Sequence, residues 1–273
     1  MKKIIVIGLG IIGGSLAAAL TTAGYSVYGF DLNTQTVEYA KNNGYIIDEA
    51  TDLSNFDAVF IAIPPKATCN LLKDGSFKEG ALVIDICGIK SKIEKLVYSE
   101  KRNFRYLGWH PMAGKETSGI SSASAVMFKN ANLIMTVCDK TEKSALEEAN
   151  VLAEKLLFGN IIVCSADEHD KKIALTSQLA HLVSNAYVKS SEVKGCEPFT
   201  GGSFQDMTRI AGVDENIWTE LYLCNRENVL RELTLMIEHL KEYQQAILAN
   251  NAEDLSVCLK EGRLIRETIK RKK

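Results

Sequence analysis

The run Ile4-Ile5-Val6-Ile7-Gly8-Leu9-Gly10-Ile11-Ile12-Gly13 joins four β-branched residues to a Gly-x-Gly-x-x-Gly turn. An unbroken Val/Ile run is the composition of a strand buried on both faces, as in parallel sheets. Residues 15–23 then read as a helix, closed by Gly24. In a strand–turn–helix unit of this kind each glycine has its own task. Gly8 allows the tight turn, Gly10 lets the backbone approach a pyrophosphate, and Gly13 lets helix and strand pack closely. Ile11 and Ile12, within the turn, are expected to contact the cofactor, and the helix N-terminus offers free N–H groups and a positive dipole end to phosphates.

A second strand, 26–30, ends in Asp31, about 20 residues past the fingerprint. A carboxylate there accepts hydrogen bonds from the adenosine ribose hydroxyls and repels a 2′-phosphate, so the cofactor expected is NAD and not NADP. The bland reading of the same residues is a ligand-free turn with Asp31 as a helix cap. The alternation continues with a helix at 36–43, a strand at 56–63 stopped by Pro64-Pro65, and a helix at 66–72. A strand at 81–86, a helix at 90–98 and a short strand at 105–109 follow. Strands alternating with helices imply a doubly wound parallel sheet, whose ligands lie beyond the strand C-termini. Residues 62–65, 87–90 and 109–111 should therefore share one rim. Ile63 and Pro64 are expected along the cofactor's ribose, with Gly88 and His110 facing the nicotinamide, although Pro64-Pro65 reads equally well as a plain strand terminator. A strand, helix and strand at 133–137, 142–157 and 161–163 complete an expected first domain, 1–163.

From Ser165 the strand signal ends, and 164–273 reads as an all-helical domain. Ser165 is a plausible N-cap, with Asp167 and Glu168 in the first turn of a long helix reaching about residue 193. Ile173, Leu175, Leu179, Leu182, Val183 and Ala186 should form its apolar face. Ser177 and His181, at i and i+4, share a face that would be polar, although a satisfied core histidine competes with that reading. Further helices are expected at 215–233, 234–249 and 252–269, and their apolar faces point to a homodimer.

Composition narrows the function classes. With 273 residues, 46% of them hydrophobic, and a net charge of -2, the chain has ample core and no global attraction to nucleic acid or an anionic membrane. Seven scattered cysteines, without a Cys-x-x-Cys or zinc spacing, imply a reducing compartment and no metal site. The start, Met1-Lys2-Lys3 followed by an apolar run, mimics a secretory signal, but glycines 8, 10, 13 and 14 interrupt it. A cytoplasmic location is expected.

One stretch has neither helical nor strand period: Trp109-His110-Pro111-Met112-Ala113-Gly114-Lys115-Glu116-Thr117-Ser118-Gly119. Taken with Gly8-x-Gly-x-x-Gly13, Asp31, Ser177/His181 and Gly202-Ser203-Phe204-x-Asp206-x-Thr208-Arg209-Ile210-Ala211, it resembles the prephenate dehydrogenases and their arogenate-using relatives over essentially the whole length. The resemblance implies a Rossmann domain, a helical dimerisation domain, and an NAD-dependent oxidative decarboxylation in the cleft between them. It implies His110 as the base that takes the proton of the substrate's ring hydroxyl while hydride leaves the same carbon. Arg209 would pair with a substrate carboxylate, and Ser177 and His181 would orient the substrate. Glu116 would hydrogen-bond near the mouth, and Gly114 and Lys115 would flank the substrate side chain. His169 and His239 match nothing in the pattern and read as surface histidines.

Two departures stand out. Where many relatives carry Asp-Val-Gly-Ser-Val-Lys, this chain has Asp85-Ile86-Cys87-Gly88-Ile89-Lys90, so a serine that supports the catalytic histidine is absent. A water, Cys87 or a backbone group would have to replace it. The chain also shows no pattern for a fused mutase or regulatory domain. Competing readings are a β-hydroxyacid dehydrogenase or imine reductase, and a non-catalytic NAD-responsive binding protein. The first calls for a Lys/Asn pair one turn apart on the long helix, where this chain has Ser177 and His181.

Overall fold

The computed structural model describes residues 2–114, 117 and 119–269. The chain divides into two compact units, Met1–Asn225 and Arg226–Lys273. The first is built on seven strands: β1 (Lys3–Ile7), β2 (Ser26–Phe30), β3 (Ala58–Ile61), β4 (Leu82–Asp85), β5 (Arg105–Pro111), β6 (Asn132–Thr136) and β7 (Asn160–Cys164). Their order is β2-β1-β3-β4-β5-β6-β7. β1 to β5 pair in parallel, β6 runs antiparallel to β5, and β7 is parallel to β6. The strand order reverses between β1 and β3, the switch point where α/β sheets open a crevice.

Burial on both faces explains the apolar runs. Alternate β1 residues enter opposite cores: Ile4 and Val6 on one side, Ile5 and Ile7 on the other. The first core is closed by α1 (Ile11–Thr22), α2 (Thr34–Asn42) and α5 (Lys143–Lys155), through Leu16, Val37 and Ala149 among others. The second is closed by α3 (Pro65–Asp74) and α4 (Ser91–Val97), through Leu72, Ile93 and Val97. The signal-like N-terminal run is thus an interior strand of the sheet and the first helix packed on it. Trp109 is fully buried and meets Phe60 and Phe158 edge-on, at centroid distances of 5.5 and 5.9 Å.

β5 is longer than its sequence pattern: His110 and Pro111 still pair with Ile134 and Leu133 of β6. Because β6 is antiparallel, the chain between them leaves and returns at the same rim, where Met112 N–H donates to the Asn132 carbonyl at 2.8 Å.

The helices after β7 depart most from the 3.6-residue period. Ser165 does cap α6 (Ala166–Ile173), accepting from Glu168 N–H at 3.1 Å. A π-helical turn then spans Ala174–Leu179 before α7 (Ala180–Tyr187), which ends well short of residue 193. The wider turn slips the helical register. Leu175 and Ala186, expected on the apolar face, are exposed, while Gln178 and Ser184 are buried. Gln178 donates to the Leu221 carbonyl at 3.0 Å, and Ser184 Oγ donates to the Met207 carbonyl at 2.7 Å, so the inward polar groups are satisfied. A short helix, α8 (Gly202–Thr208), and α9 (Glu215–Cys224) finish this unit. The break expected at 233/234 lies instead at Asn225, whose buried side-chain amide donates to the Asp170 carbonyl at 2.8 Å and to Gln178 Oε1 at 2.6 Å.

The second unit is an antiparallel helical pair, α10 (Arg226–Leu248) and α11 (Ala252–Thr268), with Asn251 capping α11. Tyr243 ties the two by donating to the Cys258 carbonyl at 3.3 Å.

Candidate active site

The glycine turn is a cradle shaped by the absence of side chains. Gly8 sits at φ +86°, and a Cβ there would lie 2.4 Å from the Ala62 carbonyl oxygen. A Cβ on Gly13 would lie 1.7 Å from the Gly8 carbonyl oxygen, so α1 packs directly on the turn. Gly10 has nothing within 4 Å of its Cβ position and stands at the N-cap of α1 without a side-chain cap. The helix therefore presents uncapped N–H groups of Ile11 and Ile12 beside an open backbone, the geometry a pyrophosphate needs.

Asp31 is at the end of β2 and is not the cap of α2, a task performed by Asn33. Its Oδ2 accepts from Leu9 N–H at 2.8 Å and its Oδ1 from Asn33 N–H at 2.9 Å. Each oxygen keeps a further lone pair for a ribose hydroxyl. A cavity of about 580 Å³ lies between Asp31, Gly8, Gly10, Ile63 and Pro64. A smaller one, about 220 Å³, shares Ala62, Ile63 and Pro64 with it and reaches Ile12, Gly88 and Leu221. A dinucleotide with its adenosine end at Asp31 and its nicotinamide end at Gly88 fits this pair of cavities.

The C-termini of β3, β4 and β5 form the shared rim, with Ile61, Asp85 and Gly108 in register. His110 stands there, two residues beyond Gly108. A Cβ built on Gly88 would lie 3.8 Å from His110 Cε1, which places Gly88 directly beside the ring. Cys87 does not take the missing serine's place: its buried thiol faces Thr68 Oγ1 at 3.3 Å and the Ile63 carbonyl at 3.4 Å.

What holds His110 is His169. The two rings meet Nδ1 to Nε2 at 2.8 Å, and His169 Nδ1 lies 2.7 Å from Asp170 Oδ1. His169 is not the surface residue the sequence led us to expect; it is 1% exposed, and Asp170 is 2%. Asp170 in turn accepts from the backbone N–H groups of Lys90 (2.8 Å) and Ser91 (2.9 Å), at the start of α4. Burial pushes the His110 imidazole well below its ordinary pKa, with His169 and Lys90 adding to the effect. Burial also lowers His169, against the pull of Asp170. For Asp170 burial opposes ionisation, but the bonds from His169, Ser91 and Lys90 win, and its pKa is lowered. The signal that could have found His169 was its position four residues after the Ser165 cap, on the helix face turned toward the sheet.

Beneath the rim lies a buried ion pair. Lys90 Nζ reaches Asp85 Oδ1 at 2.6 Å, both side chains are fully buried, and Tyr106 donates to the other Asp85 oxygen at 2.5 Å. It locks the end of β4 to β5 and fixes the backbone on which Gly88 sits. Such pairs are weak sources of net stability, but losing one partner strands a charge.

On the helical side, His181 lies on α7 and donates from Nδ1 to the Ser177 carbonyl at 2.8 Å. The bond is to the backbone of Ser177, which lies in the π turn, and not to its hydroxyl. The His181 ring stacks on Trp218 of α9 at a centroid distance of 4.0 Å. Arg209 is the exposed C-cap of α8, in a segment fixed to α7 by Ser184 on the Met207 carbonyl and Asn185 on the Ala211 carbonyl (3.1 Å). The segment bearing Arg209 thus runs beside α7, the helix that carries His181. Gly114 is exposed, three residues beyond β5. Lys115 and Glu116 lie outside the described residues. The remaining sites, from Gly8 to Arg209, all lie inside Met1–Asn225.

Residues 16–162 match the family described as prephenate dehydrogenase, nucleotide-binding domain, and residues 165–261 match its dimerization domain. The chain belongs to the prephenate dehydrogenase family. It is 31% identical to the prephenate dehydrogenase of Lactococcus lactis subsp. cremoris, covering 98% of this chain and 78% of that one. Among solved structures, an Aquifex aeolicus prephenate dehydrogenase in complex with hydroxyphenyl propionate and NAD+ superposes with a TM-score of 0.84 at 28% identity, covering 99% of each chain. The Synechocystis arogenate dehydrogenase superposes with a TM-score of 0.76 at 25% identity, covering 97% of this chain and 99% of that one. Family members with either substrate named are thus similar to this chain along nearly its whole length.

Proposed function

We propose that this chain catalyses the NAD-dependent oxidative decarboxylation of prephenate, of arogenate, or of both, to the corresponding 4-hydroxyphenyl product. The observation that carries this reading is the position of His110. Its ring sits on the rim at the Gly88 end of the dinucleotide groove, held from behind by a buried partner. Bound NAD supplies a hydride acceptor at that end. The rest falls to the protein's own residues. His110, kept neutral by burial, accepts the proton of the ring hydroxyl through its outward nitrogen, a task worth about 10²–10⁴ in rate. His181, immobilised by the Ser177 carbonyl and Trp218, and Arg209, on the adjoining segment, orient the cyclohexadienol acid; Arg209 offers a planar fork to a carboxylate. Loss of carbon dioxide makes the ring aromatic, so positioning donor and acceptor is most of what the enzyme must do.

The helical pair α10–α11 leaves Leu240, Ile247, Val257 and Ile265 each more than half exposed, which supports assembly as a homodimer through the 164–273 region. Seven free thiols support a reducing, cytoplasmic setting. Following NAD reduction by absorbance with prephenate and with arogenate, separately, tests the function. Reduction with at least one is expected, and the ratio of the two kcat/KM values assigns the preferred side chain. No absorbance change with either would refute the proposal.

A further inference from the structure

We propose that His169 and Asp170 form a buried relay that fixes the tautomer of His110 and takes over its positive charge during turnover. The inference rests on the reading of His110 as the base.

The tautomers follow from the carboxylate inward. Asp170 has both oxygens engaged by N–H donors of α4, so it acts as an ionised acceptor. His169 Nδ1, 2.7 Å away, must carry a hydrogen to donate. In a neutral ring its Nε2 is then a lone pair, and His110 Nδ1, at 2.8 Å, must be the donor. That leaves the lone pair of His110 on Nε2, the atom facing Gly88 and the groove, with a Gly88 Cβ position 3.9 Å away. The chain of bonds thus aims the basic nitrogen at the reacting hydroxyl without any contact from the missing serine.

The same chain moves charge. When the ring O–H bond breaks, its proton bonds to His110 Nε2 and its electron pair closes the carbonyl as hydride leaves. His110 Nδ1–H can then pass its proton to His169 Nε2, placing the imidazolium directly on the Asp170 carboxylate. After carbon dioxide leaves, the phenolate oxygen takes a proton back from His110 Nε2, and His169 returns its own to His110 Nδ1. Nothing is gained or lost over the cycle. The surroundings favour charge on the inner ring. The ammonium of Lys90 opposes it on both rings, while Asp170 and the more distant Asp85 stabilise it on His169 alone. Cys164, which His169 N–H faces, Glu168 beside it, and Glu94 and Asp167, which interact across α4 and α6, are the other titratable groups near the relay. His169 and Asp170 are positioning residues, since neither touches the substrate.

The chain has four histidines, so its imidazole nitrogens can be assigned one by one in the 15N-histidine-labelled wild-type protein. We expect both His110 and His169 in the Nδ1–H form, with the His169 Nδ1 proton strongly deshielded. An Nε2–H form of either ring would overturn the proposal without any variant having to fold. The second test is His169→Gln, whose amide oxygen can still accept from His110 Nδ1 but cannot hold a proton. It should lower kcat by about tenfold or more and reshape the acid limb of the kcat–pH profile, with NAD affinity within about twofold of wild type. A wild-type kcat and pH profile in His169→Gln would reduce His169 to an orienting contact and refute the relay. His110→Asn separates the two levels: if it retains full turnover, the base assignment itself fails, whereas loss in His110→Asn with none in His169→Gln sinks the relay alone.

Discussion

A Cβ on Gly88 would stand 3.9 Å from His110 Nε2 and 3.7 Å from Leu221 Cδ2, in ordinary contact with both. A Cβ therefore finds room here, yet this chain carries none and holds His110 from the opposite nitrogen, Nδ1. Gly88→Ser should fold with stability within about 1 kcal/mol of wild type. It should change kcat less than about tenfold, because the ring is already fixed at Nδ1. Melting temperature and steady-state kinetics check this. A loss as large as that of His110→Asn would mean that the space beside Nε2 is itself required.

Asp31 does two things at once: its carboxylate ties the glycine turn through Leu9 N–H and keeps lone pairs for a ribose. Asp31→Ser removes the charge that repels a 2′-phosphate and weakens the tie. The ratio of kcat/KM for NAD over NADP should fall by about tenfold or more, the scale of one charge-assisted hydrogen bond. Kinetics with each cofactor decide it, and an unchanged ratio would leave Asp31 as a turn residue only.

Most of the sheet was legible in the sequence because strands buried on both faces have a composition that little else produces. The glycine turn was legible because three positions there exclude any Cβ or invite a ligand. The helices around the site were harder to read. A π turn at 174–179 cancels the 3.6-residue period on which the apolar face of that helix was drawn, so Leu175 faced the wrong way and Gln178 was missed. His169 was missed for a different reason. Its partner His110 lies 59 residues away along the chain, and the start of α4 that engages the adjoining Asp170 lies 80 residues away, so the Ser165 cap can mark the inward helix face but not the groups that meet it there.

The paired histidines also set a pH dependence of folding. Burial lowers the pKa of both His110 and His169. Above the ordinary histidine pKa of about 6.5, folded and unfolded chains both hold neutral rings, and no penalty applies. As pH falls below that value the unfolded chain takes up protons that the folded one refuses, so stability declines toward the lower folded values. Asp170, whose pKa is lowered, adds a loss only below the ordinary carboxylate range, near pH 4. The melting temperature should therefore drop between pH 7 and pH 5, and the drop should be shallower in His169→Gln. Equal slopes in the two proteins would show that the pair does not carry the effect.

The packing task of Gly13 and the ligand task of Gly10 can be separated by adding one methyl group at each. At Gly13 a Cβ would sit 1.7 Å from the Gly8 carbonyl oxygen, which is backbone and cannot swing aside. Gly13→Ala must push α1 off the turn, at a cost of about 3 kcal/mol, or about 10 °C in melting temperature, with no cofactor present. Gly10 is the opposite case. Its φ of -63° suits any L-residue, and nothing lies within 4 Å of its Cβ position. Gly10→Ala should leave the apo melting temperature within about 2 °C of wild type, while the methyl group occupies the approach a pyrophosphate needs. NAD affinity should then fall by about tenfold or more, a change of about 1.4 kcal/mol readable by calorimetry. If Gly10→Ala binds NAD like wild type, the phosphates do not cross the turn at Gly10, and the placement of the cofactor along the Asp31–Gly88 groove would have to be redrawn.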